Sequence, residues 1–586
     1  MHRSPSVCLL IGEWRANVRV CGHCRVVLCR KGCYVTGADA LVQILKAEGV
    51  KQVFCFPYTP VMEAMARADL RILLARQERV AGNMADGVSR STNGRELGTW
   101  TVQQSAGSEN AFAAIAHSYT DSTPMLFVPG HPGMDKADIP PTFEGVKNYA
   151  ATTRHAATVR TVDELQQRAR MAFTALRTGR PGPVMLEMPV DVCNAEFKGP
   201  LDYQPIRPSK AGADSGAVAE AADLLLRSKS TMIWAGQGVL YAEASAELQE
   251  VAELLGVPVM TTLQGKSALP ETHELAAGVG AYVRTAMVAH YLEVSDTVLA
   301  VGTSLSKMSF TPDLPEGKTI IHVTNDPIDL NKSYPTKLPI HADAKLFLQQ
   351  LADELRRRVG DGREAERRDT SNTIAAIKGN WLSDYEAQFS DEREPINAYR
   401  MLRELWSLLD PDTTMITHES GASRDIQSVF YESTLPRSYL GWGQSSQLGF
   451  SIGLAMGAKL ANPDKTVVNV MGDGAVGYTG LDWETAVREN IPILTVIKHD
   501  AIFSGYDRNI PESIAKFGVS SLDGDYAGVA AALGCHAEQV TGIGELRPAF
   551  ERALRAVNEG QPAVVDVRTA ETRELSMAPE ARTASQ

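Results

Sequence analysis

The densest chemical signal sits toward the carboxyl end of the chain. Gly472-Asp473-Gly474 follows the apolar run Thr466 to Met471, and Asp500 stands 27 positions after Asp473. An apolar run of that length reads as a buried strand. Open α/β sheets bind ligands at the carboxyl ends of such strands. Glycines let the backbone approach phosphate oxygens, and a following helix start supplies amide donors. Asp473 offers a hard oxygen to Mg²⁺, which favours carboxylates together with phosphate oxygens. A helix from Leu481 to Arg488 is predicted next, then a second strand, ILTVIK, with Asp500 at its end. Two adjacent parallel strands would bring both carboxylates to one sheet edge. A second GDG, Gly360-Asp361-Gly362, follows the charged segment DELRRRV rather than an apolar strand, and is predicted to be a linker turn.

Other residues carry weaker signals. Glu78 closes an apolar strand before a helix rich in small residues, and on its own reads as an exposed helix-start carboxylate. His131, in VPGHPG, has a side chain suited to moving protons near neutral pH, and equally suits a loop without a role. Five of the eight cysteines lie in the first 33 residues: Cys8, Cys21, Cys24, Cys29 and Cys33. CGHC with Cys29 and Cys33 could bind zinc through thiolates, but the standard second-pair spacing is missing, so an unstructured extension is the stronger reading. Cys55, Cys193 and Cys535 read as small buried apolar residues.

These groups need a scaffold. A chain of 586 residues exceeds the size of one hydrophobic core. Hydrophobic residues at 44% and charged residues at 22% are ordinary for a globular protein. A net charge of -12 argues against a broad nucleic-acid or anionic-membrane surface, and no apolar stretch is long enough to span a bilayer. No signal peptide is evident, so the expected compartment is the cytoplasm. From residue 35, apolar strands alternate with helical stretches, which implies parallel sheets covered on both faces. The expected organisation is an atypical extension over 1–34, α/β domains over 35–195, 215–355 and 378–570, and a frayed tail over 571–586. Residues 194–214 and 358–372 read as polar linkers.

The motifs resemble those of the thiamine-diphosphate-dependent enzymes, over about residues 35 to 570. GDG followed by His499-Asp500 is similar to the family's GDG and, some thirty residues on, NN. Arg76-Gln77-Glu78 with GNMADGVSR is similar to the family's RHE and AAxMAxGYAR. QSAGSENAFAAIAHSYTDSTPMLFVPG, RPGPV and QLGFSIGLAMGAKLANPD match further family segments, through Asn110, Asp121, Ser122 and Pro124 among others. The resemblance implies three Rossmann-like domains with parallel sheets: pyrimidine-binding, central and diphosphate-binding. It implies that Glu78 hydrogen-bonds the aminopyrimidine ring and promotes carbanion formation, and that Asn110 is a further cofactor-binding residue. Gly472, Asp473, Gly474 and Ala475 would hold the diphosphate. Asp473, Asp500 and the carbonyl of Ile502 would hold Mg²⁺, and Leu448 would prop the cofactor into its bent shape. His131, Phe143, Phe503, Ser504 and Tyr506 would lie near the substrate. The family glutamate comes from a second subunit, which implies a homodimer or dimer of dimers.

The branch most resembled is the acetolactate-synthase-like one, which includes benzaldehyde lyase, benzoylformate decarboxylase and 2-hydroxyacyl-CoA lyase. The implied reaction is decarboxylation of a 2-oxo acid followed by ligation to a second carbonyl. A lyase acting on a 2-hydroxyacyl compound, a simple decarboxylase, and a non-catalytic subunit are the alternatives. Tyr58, His131 and Asp500 depart from the acetolactate pattern and point away from pyruvate. In some relatives the central domain binds FAD or ADP, and the short loop AGQGV does not decide between them and neither. FPYTPVME lacks the glycine pattern of a nicotinamide Rossmann enzyme.

Overall fold

A computed structural model describes residues 34–360, 362–503 and 509–572. The five amino-terminal cysteines, Ser504 and Tyr506 lie outside the described residues. Among those described, no helix is long and apolar enough to cross a membrane.

The strand–helix alternation resolves into three six-stranded sheets in which all pairings between neighbouring strands are parallel. The first is built from Gln52–Cys55, Arg71–Leu74, Gly98–Val102, Met125–His131, His155–Thr158 and Pro183–Pro189. Numbered along the chain, its strands lie in the order 2-1-3-4-6-5. The third sheet comprises Thr414–His418, Tyr439–Leu440, Thr466–Gly472, Leu494–His499, His536–Val540 and Ala563–Arg568, and repeats that order. The central sheet, from Thr231–Ala235 to Leu338–His341, runs 6-5-4-1-2-3. Helices cover both faces, which is why strands such as Met125–His131 are apolar and buried along their length.

Two expectations change in detail. The helix expected over Leu481–Arg488 is a single 3₁₀ turn, Gly480–Asp482, followed by an α-helix, Trp483–Arg488. The polar stretch expected as a linker over 358–372 instead runs into a 26-residue helix, Glu364–Phe389. Glu, Ala and Arg are strong helix formers, and Ile374, Tyr385 and Phe389 give the helix an apolar anchor that its charged first half conceals. Gly360 and Gly362 take φ of 60° and 103°, so the flanks of the second GDG do form a turn.

The first and third sheets are joined by two helices in backbone contact, Glu78–Ser91 and Ser451–Ala461. A Cβ on Gly87 would stand 2.3 Å from the Leu454 carbonyl oxygen, and one on Gly457 would stand 2.1 Å from that of Met84. Only glycine permits this approach. Gly87→Val is expected to lower the denaturant midpoint of unfolding, at a cost of about 1–3 kcal/mol from overpacking.

Candidate functional site

Glu78 is the first residue of the helix Glu78–Ser91, straight after an extended Gln77. Its carboxylate is 6% exposed and accepts from the Asn110 side-chain amide at 3.4 Å. The flanking residues reach the third domain of the same chain. The Arg76 backbone N–H donates to Asp482 Oδ1 at 2.9 Å, and the Gln77 amide donates to the Tyr478 carbonyl at 3.0 Å. The Arg79 guanidinium donates to the carbonyl of Leu448. Glu78, Asn110 and Leu448, spread over 370 residues of sequence, therefore meet at one junction. Tyr478 belongs to the helix Asp473–Thr479, so the rise per residue puts Asp473 about 8 Å further along that helix.

Asp473 and Asp500 close adjacent strands, Thr466–Gly472 and Leu494–His499. Asp473 is buried. Its Oδ1 accepts from the Gly474 N–H and its Oδ2 from the Ala501 N–H, both at 2.8 Å. Burial, and then the charge of Asp500, push the Asp473 carboxyl up to about 6. Asp500 is paired with Lys498, whose Nζ lies 2.5 Å from Oδ2. His499 is fully buried and turned onto Asp566 at 2.8 Å, with Nε2 3.2 Å from Asp523. A Cβ on Gly472 would meet nothing within 4 Å, whereas one on Gly474 would face the Phe503 ring at 3.2 Å. Ala475 is buried behind them. Ile502 bridges to Ser521, and the Phe503 N–H donates to Ser520. Among the described residues, no three His, Cys, Asp or Glu side chains form a metal-holding group. A cation at this edge would draw its other oxygens from backbone and ligand.

Several polar residues at the junction went unread in the sequence. Glu419 is fully buried, and its Oε1 accepts from the Ser451 N–H at 2.8 Å. Its Oε2, the Arg79 Nε and the Ser451 hydroxyl have no hydrogen-bond partner among the described residues. Burial raises the Glu419 carboxyl above the usual range. Nearby, the Ser420 and Ser446 hydroxyls are 3.0 Å apart. Unmatched buried polar atoms are rare in native interiors, and a cluster of them at the Leu448 loop is what a polar-ligand site presents. The strand ending at His418 would have located Glu419.

His131 lies at the end of its strand, 2% exposed, with Nδ1 accepting from the Gly133 N–H at 3.2 Å. Burial lowers its pKa, so the neutral ring carries its hydrogen on Nε2. Phe143 is half-buried against the core shared by the first and third domains. Among the described residues, no hydrogen bond ties His131 to Glu78 or Asp473. Tyr58 packs into the first-domain core and donates to the Met188 carbonyl at 2.7 Å. Beside the Phe143 segment, Glu187 is buried, accepts from the Thr158 hydroxyl at 2.6 Å, and is pushed up to about 7 by burial.

A cavity of about 620 Å³ lies between the first and central domains, lined by Arg95, Ser122 and Arg180 of the first and by the segments 236–238 and 302–306 that follow the first and fourth strands of the central sheet. Its glycines serve packing: a Cβ on Gly236 would meet the Gly302 carbonyl at 2.3 Å, and one on Gly238 the Gly302 Cα at 2.7 Å. Asp326 and Asp329, after the fifth strand, are held by Arg154 and Arg180 at 3.1 and 2.8 Å. No nucleotide is assigned to this cavity.

Residues 35–158 match the N-terminal TPP binding domain of thiamine pyrophosphate enzymes, 218–351 the central domain, and 420–567 the C-terminal TPP binding domain. A probable acetolactate synthase large subunit of Methanocaldococcus jannaschii is 31% identical, over 79% of this chain and 79% of its own length. The chain belongs to the thiamine pyrophosphate enzyme family. Glyoxylate carboligase of Escherichia coli O157:H7 is 28% identical over 92% of this chain and 94% of its own. The crystal structure of benzoylformate decarboxylase from Polynucleobacter necessarius shares the fold, with a TM-score of 0.78 and 20% identity, over 93% of this chain and all of that one.

For a thiamine pyrophosphate enzyme, a buried carboxyl that stays protonated near neutrality has a stability consequence. The folded value of Glu187, about 7, lies above the ordinary 4.5, so the unfolded chain ionises first. Stability is therefore lost as pH rises from about 4.5 through about 7. Glu187→Gln should stabilise the fold at pH 8, by on the order of 2 kcal/mol, and change little at pH 4. Thermal unfolding at the two pH values checks this.

Proposed function

We propose that the chain decarboxylates a 2-oxo acid and joins the remaining fragment to a second carbonyl compound. The observation that carries this reading is the buried Glu78 carboxylate, held by Asn110 at the junction with the Leu448 loop. The acetolactate synthase and glyoxylate carboligase relatives support ligation over simple decarboxylation.

The residues present fit thiamine diphosphate. Gly472 faces open space, Asp473 and Asp500 form a desolvated anionic pair, and unmatched polar atoms gather at the Leu448 loop. When bound, the cofactor supplies an electron sink for breaking and making bonds beside a carbonyl. Gly472, Gly474 and Ala475 would flank its diphosphate. Asp473, Asp500 and the Ile502 carbonyl would hold a divalent cation such as Mg²⁺. Glu78 would hold a proton at its carboxyl, opposite the pyrimidine ring, with Asn110 fixing its orientation. Leu448 sets the floor between the two ends, and its carbonyl is fixed by Arg79. His131, neutral and with Nε2–H available, and Phe143 are assigned to the substrate side, as is Phe503 over Gly474.

A second copy of the chain completes the site in this reading. Around Glu78, the apolar side chains of Phe112, Tyr478 and Leu481 are exposed, at 42%, 47% and 54%. Exposed apolar groups clustered beside a functional carboxylate mark a face that another protein surface covers. A homodimer or a dimer of dimers is the assembly proposed. The free, buried Cys55, Cys193 and Cys535 suit a reducing compartment such as the cytoplasm.

Purified protein given thiamine diphosphate, Mg²⁺ and a panel of 2-oxo acids should release CO₂ and yield a coupled product by mass spectrometry. Glu78→Gln should cut turnover by at least about a hundredfold, the range of general acid–base contributions. It should leave thiamine diphosphate affinity within about tenfold. Full activity in Glu78→Gln would contradict the assignment.

A further inference from the structure

The segment that carries Phe143 has little of its own to hold it. Between the strand end at His131 and the helix Gly145–Tyr149 it contains one 3₁₀ turn, Met134–Lys136, and none of residues 134–144 is buried. Two buried contacts fasten its far end. The Tyr149 hydroxyl donates to the Ser108 carbonyl, on the helix Ala106–Thr120 that also carries Asn110. The Gly145 N–H, two residues after Phe143, donates to the Glu187 carboxyl. Glu187 and Met185 share one face of the strand Pro183–Pro189. A Cβ on Gly145 would stand 2.3 Å from Glu187 Oε1 and 2.6 Å from the Met185 methyl, so only glycine lets the backbone close onto this carboxyl. The second oxygen, Oε2, accepts from the Thr158 hydroxyl at 2.6 Å, on the flanking strand.

No counter-charge accompanies this carboxyl. Burial first, and then the charge of Glu144 in the covering segment, hold it protonated up to about pH 7. His131 and His155 lie on the two flanking strands, and burial lowers the pKa of each. Burial also keeps Tyr58, behind the strand, a neutral phenol. None of these supplies a cation near neutrality. Lifting residues 144–149 would hydrate Glu187, and a hydrated glutamate ionises at about 4.5. The closed segment therefore binds the proton more tightly than the open one, and rising pH favours opening.

We propose that Glu187 is a positioning residue for the substrate side: its carboxylic acid pins the segment carrying Phe143 to the first sheet, and loss of its proton releases that segment. This rests on the assignment of Phe143 to the substrate side, and adds to it what holds that side closed.

The test is hydrogen exchange of the full chain, read by mass spectrometry at pH 6 and pH 8.5, with the intrinsic amide rates divided out. With a closed value of about 7 and an open value of about 4.5, protection of residues 145–150 should fall about tenfold between the two pH values in the wild type. The central-sheet strand Thr297–Val301 should keep its protection, and Glu187→Gln should show no fall in either place. Kinetics read the consequence for substrate. Relative to Glu187→Gln, the wild-type KM for the 2-oxo acid should match at pH 6 and rise several-fold at pH 8.5, with the kcat ratio steady. Glu187→Ala should show the high KM at both pH values. Equal wild-type protection at the two pH values, or the same fall in Glu187→Gln, would overturn the inference. The wild-type result alone decides the pin if a variant fails to fold. A pH-dependent segment with an unchanged KM would overturn the positioning role. No turnover of any 2-oxo acid would overturn the proposed reaction instead, and the exchange data would still decide the pin.

Discussion

The structure depends on one buried clasp between the first and third domains. Arg90, 1% exposed, donates through Nε and Nη2 to both carboxylate oxygens of Asp86, at 2.7 and 3.1 Å. Its Nη1 donates to the Gly441 carbonyl at 2.8 Å and to Asp121 at 3.3 Å. Asp121, itself fully buried, accepts from the Gly443 and Gln444 amides. A charge this deep is tolerated only when fully paired, so the geometry of the clasp is not negotiable. It locks the last turn of the Glu78 helix against the segment that leads into Leu448. The glycine contacts at Gly87 and Gly457 fix the rest of that helix crossing. The position of the Glu78 carboxylate relative to the Leu448 loop follows from these two constraints.

The repeated strand order of the first and third sheets gives the clasp its setting. Glu78 opens the helix after the second strand of the first sheet, and Asp473 and Asp500 follow neighbouring strands of the third. In the proposed reading, the first domain carries the Glu78 carboxylate for proton handling, and the third carries Asp473, Asp500 and the open backbone at Gly472 for an anionic ligand.

Much of this was legible in the sequence, for identifiable reasons. The buried parallel strands read clearly because both faces are covered, leaving nearly continuous apolar runs such as those at Met125–His131 and Thr466–Gly472. Asp473 stood out because it closes such a run; Glu78 follows the shorter, partly exposed edge strand Arg71–Leu74 and stood out through the flanking RQE and GNMADGVSR motifs. The helix Glu364–Phe389 did not, because its charged first half masks the three apolar anchors that dock it. Glu419 was missed because its strand is short and its importance lies in a pairing 32 residues away, with the Ser451 amide. Tyr58 stood out as a departure from the acetolactate pattern, yet it fills the first-domain core, where aromatic bulk beside Gly130 decides packing. The Lys498–Asp500 pair is invisible to composition, since period-two alternation alone does not say that two opposite charges will be enclosed together.

The most direct measurement is a crystal structure of the protein with thiamine diphosphate bound. The account predicts the aminopyrimidine ring within hydrogen-bond distance of a Glu78 carboxylate, with the diphosphate against Gly472 and Asp473 of the same or a partner chain. A cofactor bound elsewhere, or a Glu78 carboxyl turned away from the ring in every subunit, would contradict it.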